Sequence, residues 1–130
     1  MITIRQVNKM PNENESAQAN VEWIQQQIQE RSLGIMTDML KGLADGKRMQ
    51  IAQALALTPE LSVHSIAEII ESSIATASHH LRYMHKLGLT KFRKEGRTVY
   101  YSLDDEHVRQ VVELVVSHQA EIKERQENEA

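Results

Sequence analysis

Four side chains near the carboxyl end of the chain are of types that bind divalent metal ions. They form the pattern Asp105-x-His107, ten intervening residues, and then His118-x-x-Glu121. His118 and Glu121 are three residues apart, so on a helix they share one face and can chelate a single ion. Imidazole nitrogens and carboxylate oxygens are both ligands of Zn²⁺ in proteins. The pattern therefore makes a metal site a candidate function of this segment.

The two halves of this pattern cannot meet on one ion within one straight helix. Eleven positions separate His107 from His118, which is about 16 Å along a helix axis, whereas Zn–N bonds are about 2 Å long. An antiparallel twofold copy of the helix would bring Asp105 and His107 of one subunit to His118 and Glu121 of the other. Asp105 and His107 are about 200° apart on an ideal helix, so either the first turn of the helix is distorted or Asp105 lies at its start.

A purely structural interpretation of the same residues stays open at this point. Asp105 is well placed to be a capping carboxylate, and His118 and Glu121 can be solvated polar residues. The chain contains no cysteine, which excludes disulfides, thiolate metal sites and thiol redox sensing. Among effectors we therefore expect Zn²⁺, with Co²⁺ or Cd²⁺ as alternatives, since selectivity for Cd²⁺ usually requires soft thiolates.

The helix that carries these residues is predicted to begin near Ser102 or Asp104, either of which can be its N-cap, and to run to about Glu124. It has more apolar surface than the last helix of a small domain needs. A first helix over Ala19–Arg31 also has an apolar face, and together the two helices predict a dimerisation layer. The apolar residues concerned are Val21, Ile24, Ile28, Val108, Val111, Val112, Val115 and Ile122.

The segment from Ile66 to Leu103 predicts a winged helix-turn-helix. Apolar residues at helical spacing mark two short helices separated by Glu71-Ser72-Ser73. Gly88 follows the second helix as a left-handed cap. A two-residue period then predicts two strands around Lys94-Glu95-Gly96-Arg97. The expected fold class is mainly α with a β-hairpin wing, and homodimeric.

Charge supports this interpretation, because Ser72–Leu103 has a net charge of +5 in a chain whose total is −3. A basic module in an acidic chain is typical of a phosphate-binding surface, although a solvated hairpin could also carry such charges. His79 and its neighbour His80 are interpreted as DNA-facing or structural. The candidate contacts to double-stranded operator DNA are Thr76, Ser78, His79, Arg82, Lys94 and Arg97.

The rest of the chain is predicted to support this module. Residues 1–18 read as a flexible arm, with a strand at Ile2–Val7 as an alternative, residues 19–125 as the domain, and residues 126–130 as a frayed tail. Further helices are expected at Leu33–Leu43 and at Lys47–Leu57, the latter capped by Asp45. Ser62 is expected to cap the first helix of the helix-turn-helix. Without an apolar run that could span a membrane or serve as a signal peptide, we expect a cytoplasmic protein with no membrane partner.

The stretch from Leu40 to about Glu121 resembles the ArsR/SmtB winged-helix repressors, and within them the CadC-like and related zinc sensors. The residues that carry the resemblance are Gly42-Leu43-Ala44-Asp45-Gly46-Lys47-Arg48, Ala77-Ser78-His79-His80-Leu81-Arg82, Phe92-Arg93-Lys94-Glu95-Gly96-Arg97 and Tyr100-Tyr101-Ser102-Leu103-Asp104-Asp105-Glu106-His107. The resemblance implies a homodimer that represses metal-efflux or storage genes and leaves DNA when metal binds.

The resemblance also implies two types of metal site. One is built on cysteines near the start of the helix-turn-helix, where this chain has Ser62 and His64, so the thiolate site is absent and His64 reads as a surface histidine. The other lies on the last helix and matches Asp105, His107, His118 and Glu121. We expect allosteric release of DNA through this second site.

Three other functions remain open. The chain could be a repressor of the same fold that does not sense metal. It could be a module whose last helix binds a different protein. A metal-dependent hydrolase fits poorly, because there is no HExxH pattern and four protein ligands leave no open position for water.

Overall fold

The computed structural model describes Met10 and residues 16–129, which divide into two compact units between Thr37 and Asp38. The strand considered at Ile2–Val7, and most of the predicted arm, lie outside the described residues. In the first unit, helix α1 covers Ala17–Gln29 and begins at Ser16, whose hydroxyl accepts a hydrogen bond from the Ala19 amide at 3.2 Å. Its predicted apolar residues Val21, Ile24 and Ile28 are all exposed.

Helix α2 covers Leu33–Leu43, as predicted, and continues from the first unit into the second. The second unit then contains four further helices and three strands. They are α3 (Gly46–Leu57), β1 (Leu61–Ser62), α4 (Val63–Ile69), α5 (Ile74–Lys86), β2 (Thr90–Glu95), β3 (Thr98–Leu103) and α6 (Glu106–Glu129). This order is that of a winged helix-turn-helix, with α4 and α5 as the two helices and β2–β3 as the wing.

The three strands form one antiparallel sheet in the order β1-β3-β2. Strand β1 has only two residues, Leu61 and Ser62, which pair with Tyr101 and Tyr100 of β3. This strand was not expected from the sequence. Its effect is to fasten the start of α4 to the wing, because α4 follows β1 directly.

The hydrophobic core lies between α3, α4, α5, the sheet and the first turns of α6. Ile51, Leu55, Ile66, Leu81 and Val112 are fully buried there. The end of α2 approaches this core closely at Gly42. A Cβ atom added to Gly42 would lie 2.5 Å from Leu89 Cδ1 and 2.9 Å from Leu87 Cδ1, which is closer than real Cβ contacts.

Several local predictions are confirmed in atomic detail. Asp45 caps α3 by accepting a hydrogen bond from the Arg48 amide at 3.0 Å, and Ser62 caps α4 through the Ser65 amide at 3.1 Å. Gly88 and Gly96 both have positive φ, at 79° and 62°. Glycine is favoured at these two turns because it has no Cβ to clash in the left-handed region.

Helices α1 and α6 differ from the predictions at both ends. Helix α1 begins and ends two residues earlier than expected. Asp105, rather than Ser102 or Asp104, caps α6, with Oδ1 accepting from the Val108 amide at 3.0 Å, which agrees with its interpretation as a capping carboxylate. Helix α6 also continues to Glu129 rather than ending near Glu124, so residues 126–129 are helical instead of forming the expected frayed tail. Opposite charges lie four residues apart at Glu121 and Arg125 and at Lys123 and Glu127, a spacing that stabilises a solvated helix.

Candidate nucleic-acid interface and metal-ligand pairs

Helix α5 has one fully buried face and one open face. Ala77, Leu81 and Met84 are buried at the helical spacing predicted, which fixes the rotation of the helix about its axis. The opposite side carries the predicted contact residues, of which three are exposed and Ser78 is half-buried: Thr76, Ser78, His79 and Arg82. The arrangement presents short polar groups and one cation to a groove.

The first turn of α5 has a structural role that overlaps the predicted interface. The Ser73 hydroxyl accepts a hydrogen bond from the Thr76 amide at 3.0 Å and donates one to Thr76 Oγ1 at 2.9 Å. Thr76 therefore helps to close the N-terminus of α5. Its hydroxyl oxygen remains exposed, so this cap is compatible with a phosphate contact.

His79 and His80 have different environments, as neighbours on a helix must. His79 is exposed, whereas His80 is half-buried and its Nδ1 has no hydrogen-bond partner among the described residues. Burial lowers the pKa of His80, and the nearby Asp45 carboxylate opposes this shift only in part. A structural role, which was one of the two interpretations, therefore fits His80. The other interpretation, contact with DNA, still applies to His79.

The tip of the wing carries two free cations. Lys94 and Arg97 flank the turn at Gly96 and are exposed. Within the described residues, neither side chain takes part in an ion pair. Both are therefore available to a phosphate backbone.

Arg93 differs from these two cations, because three carboxylate oxygens hold its guanidinium group. Nε and Nη2 donate to the two oxygens of Glu60, the former at 2.9 Å, and Nη1 donates to Glu95 at 2.9 Å. The guanidinium carbon also lies 4.6 Å from the centre of the Tyr100 ring. The Arg93 charge is thus neutralised locally and cannot be counted with the free basic residues of the wing.

A second contact joins the wing to α5. His85 Nδ1 donates to the Thr90 carbonyl at 2.8 Å, and the Thr90 hydroxyl donates to the Leu81 carbonyl at 3.3 Å. The His85 ring also meets Phe92 edge-on, with ring centres 5.1 Å apart. These contacts fix the base of the hairpin against the carboxyl end of the candidate recognition helix.

The first predicted ligand pair lies at the start of α6. Asp105 lies just before the first helical residue, which allows its carboxylate to come within 3.3 Å of His107 Nδ1 despite the unfavourable helical angle between the two positions. The hydrogen bond from the Val108 amide is the main cause that lowers the Asp105 pKa, followed by the contact with His107. Asp105 is therefore an anionic cap, and its second oxygen already faces an imidazole.

The second predicted pair lies three turns further along the same helix. His118 Nδ1 and Glu121 Oε2 are 3.3 Å apart, and both side chains are well exposed. The chelating geometry expected for residues three apart is thus present. Among the described residues, no third His, Asp or Glu joins this pair to complete a metal site.

The four predicted ligands consequently form two separate pairs within one chain. Helix α6 is continuous from Glu106 to Glu129, so the pairs are about 16 Å apart along its axis. No group of three or more metal-binding side chains occurs anywhere in the described part of the chain. Each pair offers one nitrogen and one oxygen ligand, which fits half of a tetrahedral zinc site.

The positions that match the cysteine site of the resemblance have other roles. The Ser62 hydroxyl accepts from the Ser65 amide and donates to Ser65 Oγ, both at 3.1 Å. His64 is exposed on α4, as a surface histidine would be. Neither position provides a thiolate, and the Ser62 hydroxyl is engaged in capping α4.

Sequence reasoning missed two arginine contacts that tie the module together. One is the contact of Arg93 with Glu60, 33 positions away. The other is Arg109, whose Nη1 donates to the Ala56 carbonyl at the end of α3 and whose Nε lies 3.7 Å from Glu106. A cation at the carboxyl end of a helix is favourable, but nothing in the local sequence indicates which helix Arg109 meets.

Comparison with known proteins assigns the family. The model for bacterial regulatory proteins of the arsR family matches residues 45–91, which span α3 to the first strand of the wing. A cadmium resistance transcriptional regulatory protein CadC homolog from Staphylococcus aureus is 57% identical over 84 residues, which cover 65% of this chain and 69% of that protein. The chain belongs to the arsR family and is a winged helix-turn-helix transcriptional regulator, not an enzyme.

Two further similarities agree with this assignment. The cadmium resistance regulator CadC of Listeria innocua is 38% identical over 87 residues, or 67% of this chain and 73% of that protein. A homodimeric winged helix-turn-helix DNA-binding domain from Mycobacterium bovis is 34% identical, with a TM-score of 0.64 over 68% of this chain and 82% of that chain. In the described part of the chain, no helix is both long and apolar enough to cross a membrane.

Proposed function

We propose that this protein is a homodimeric, metal-responsive repressor that binds operator DNA in the cytoplasm and releases it when a divalent metal ion binds between the two α6 helices. The observation that carries the proposal is the placement of two His–carboxylate pairs on one continuous, exposed helix of an arsR-family regulator. The pairs are Asp105 with His107, and His118 with Glu121. Each pair lacks the ligands that the other supplies.

Dimerisation through α6 and α1 is supported by apolar surface that a single chain leaves open. Val111, Val115 and Ile122 of α6 are about 40% exposed, at 39%, 43% and 41%. Contiguous apolar surface of this kind marks interaction sites. The related M. bovis domain is described as homodimeric, and two recognition helices about 34 Å apart can enter successive major grooves.

In such a dimer, the ligand pairs of two antiparallel α6 helices would form two symmetric sites. Asp105 and His107 of one subunit would face His118 and Glu121 of the other. A bound ion would supply a positive bridge between four ligands. Without the ion, the Asp105 and Glu121 carboxylates of opposite subunits repel each other across the interface. The metal-free dimer is therefore expected to associate less tightly.

Release of DNA would follow from linkage between the two sites. If the arrangement that joins the ligand pairs differs from the one that fits consecutive grooves, metal and DNA each weaken binding of the other by the same factor. The ligand histidines must be neutral to bind metal. Metal affinity is therefore expected to fall in acid, because protons compete with the metal ion for these nitrogens.

We propose Zn²⁺ as the effector, with Co²⁺ and Cd²⁺ as the alternatives to be tested. Nitrogen and oxygen ligands suit Zn²⁺, and the chain has no cysteine to provide the thiolates that favour Cd²⁺. Two of the relatives are named for cadmium resistance, so Cd²⁺ must be compared directly. Competition between the two ions in a metal-affinity titration decides this point.

The central experiment is a fluorescence-anisotropy titration of an imperfect palindrome selected from random duplexes, with and without Zn²⁺ at fixed salt. For the native protein, we expect zinc to weaken DNA binding by about tenfold or more, which is about 1.4 kcal/mol of coupling. His107→Ala and His118→Ala should each bind DNA normally and lose the response. His64→Ala is the matched control, because it removes an exposed histidine outside both pairs.

The outcomes separate the alternatives. Equal DNA binding with and without zinc would leave a repressor of this family that does not sense metal. Loss of the response in His64→Ala as well would place the metal site elsewhere. A monomer that binds no DNA but captures a different protein through α6 would favour an interaction module, and sedimentation of the native protein tests this directly.

A further inference from the structure

The Arg93 contacts span all three strands of the sheet. Arg93 projects from β2 and lies opposite Tyr100 of β3 in the register, where its guanidinium packs on the Tyr100 ring. Beyond that ring it reaches Glu60, the residue just before β1. A single side chain thus connects the outer strand of the wing to the segment that leads into α4.

The geometry of this cluster is that of a clamp. Two parallel hydrogen bonds between a guanidinium group and a carboxylate fix both distance and orientation, and Glu95 binds a third donor from the same face of β2. Stacking on Tyr100 restricts the remaining rotation. An exposed ion pair of this kind adds little to overall stability, so its effect should be on the orientation of the hairpin.

The charge of the cluster argues against a direct role in binding phosphate. One cation is surrounded by two carboxylates, Glu60 and Glu95, so the cluster is net negative. Lys94 and Arg97, one and four positions further along the chain, have no ion-pair partner in the part of the chain that the structure describes. Within the described hairpin, therefore, Lys91, Lys94 and Arg97 have no ion-pair partner, whereas Arg93 has two.

We propose that Arg93 is a positioning residue of the DNA-binding surface, which together with Glu60 holds the wing against the start of α4 and does not itself bind phosphate. The proposal rests on the DNA-binding function proposed above. For removal of the Glu60 charge, it predicts a change in DNA affinity opposite to the change that simple electrostatics predicts. Removing a negative charge beside DNA should tighten binding, whereas loss of the clamp should weaken it.

The first arm of the test uses the full-length protein without DNA. An arginine Nε–H held by a carboxylate exchanges slowly with water, so its NMR signal should be visible for Arg93 and should disappear in Glu60→Gln. On addition of DNA, the Arg93 signal should stay in place, while an Arg97 signal, lost to exchange in the free protein, should appear. A large shift of the Arg93 signal on addition of DNA would overturn the proposal.

The second arm measures DNA affinity over a range of salt concentrations for Glu60→Gln, Arg93→Gln and the control Lys94→Gln. Each phosphate contact contributes about 0.9 to the slope of log K against log salt. Lys94→Gln should therefore flatten the slope by about 1.8 in a dimer with two copies. Glu60→Gln and Arg93→Gln should weaken binding by about fivefold, or 1 kcal/mol, with no change in slope.

Two results would contradict the clamp in this arm. One is tighter DNA binding by Glu60→Gln, and the other is a flatter slope for Arg93→Gln that matches Lys94→Gln. If the native protein bound no DNA at all, the proposed function would fail and the positioning role with it. The DNA-free signal of Arg93 would still report separately whether the clamp forms.

Discussion

Helices α5 and α6 have apolar residues at the same helical spacing, yet they use them differently. In α5, Ala77, Leu81 and Met84 are completely covered by the same chain. In α6, only Val108 and Val112 are covered, and Leu114 remains 68% exposed. The first helix completes a core within one subunit, whereas most of the second stays exposed, as the proposed dimer interface would require.

This difference shows what periodicity can and cannot tell. An apolar stripe predicts that one face of a helix will be buried, but it does not say by which chain. The polar residues of the two segments differ in the same way. The candidate DNA contacts lie on α5, whose apolar face is fully buried in the same chain. The proposed ligand pairs are exposed and would be completed only by a second subunit.

The largest effect on stability is expected at Leu81, which is fully buried on α5. Leu81→Ala should lower the free energy of unfolding by about 2–5 kcal/mol, because it removes a fully buried side chain and leaves a cavity. The matched variant Leu114→Ala should change it by less than about 0.5 kcal/mol. Chemical denaturation followed by circular dichroism measures both, on protein diluted until sedimentation shows a monomer. Comparable losses there would show that α6 packs within its own subunit.

The next effect concerns association rather than folding. Val115→Asp places a charge in the proposed interface and should weaken dimerisation by about tenfold or more, while the monomer keeps its cooperative unfolding. Gln110→Asp, about 140° away around the helix, should leave association unchanged. Sedimentation equilibrium distinguishes the two variants, and an unchanged dimer in Val115→Asp would remove α6 from the interface.

A smaller effect separates the two roles of Asp105. Asp105→Ala should cost about 1 kcal/mol of stability through loss of the N-cap and should also weaken metal binding. Asp105→Asn keeps the capping oxygen, so its stability should change by only a few tenths of a kcal/mol, although metal binding still weakens. Thermal unfolding without metal and a zinc titration give the two readouts. Normal zinc affinity in the Asn variant would leave Asp105 as a cap alone.

The smallest effect is a pH dependence at His80. Burial lowers the His80 pKa in the folded protein, whereas the unfolded chain takes up a proton near the ordinary value of about 6.5. The contribution to stability is therefore complete above about pH 6.5 and is lost as the pH falls through the lower folded value. His80→Gln should flatten the metal-free stability profile below that pH.

Much of the fold was predictable because its signals are local. Caps at Asp45 and Ser62 and the glycine turns at Gly88 and Gly96 each depend on a few adjacent residues. Strand β1 was not predictable, since two residues show no period. The cap of α6 was misplaced by one to three positions because Ser102, Asp104 and Asp105 are all good capping residues, and only packing selects among them.

The candidate site was predictable to a lesser extent. Spacing alone placed His118 and Glu121 on one face, and both pairs are at 3.3 Å in the structure. The charge of the wing was overestimated, because a count over neighbouring residues includes Arg93 and leaves out Glu60. Contacts between residues far apart in sequence, such as those of Arg93 and Arg109, depend on the tertiary fold.

The close approach at Gly42 has a consequence for the gene. Any side chain at this position would meet the Cδ1 atoms of the half-buried Leu87 and the buried Leu89, at the junction of α5 and the wing, so both leucine side chains would have to shift. Every amino-acid replacement that a single base change can produce in a glycine codon adds at least one carbon atom there. Codon 42 is thus expected to change less often than the codons of exposed neighbours such as Lys41.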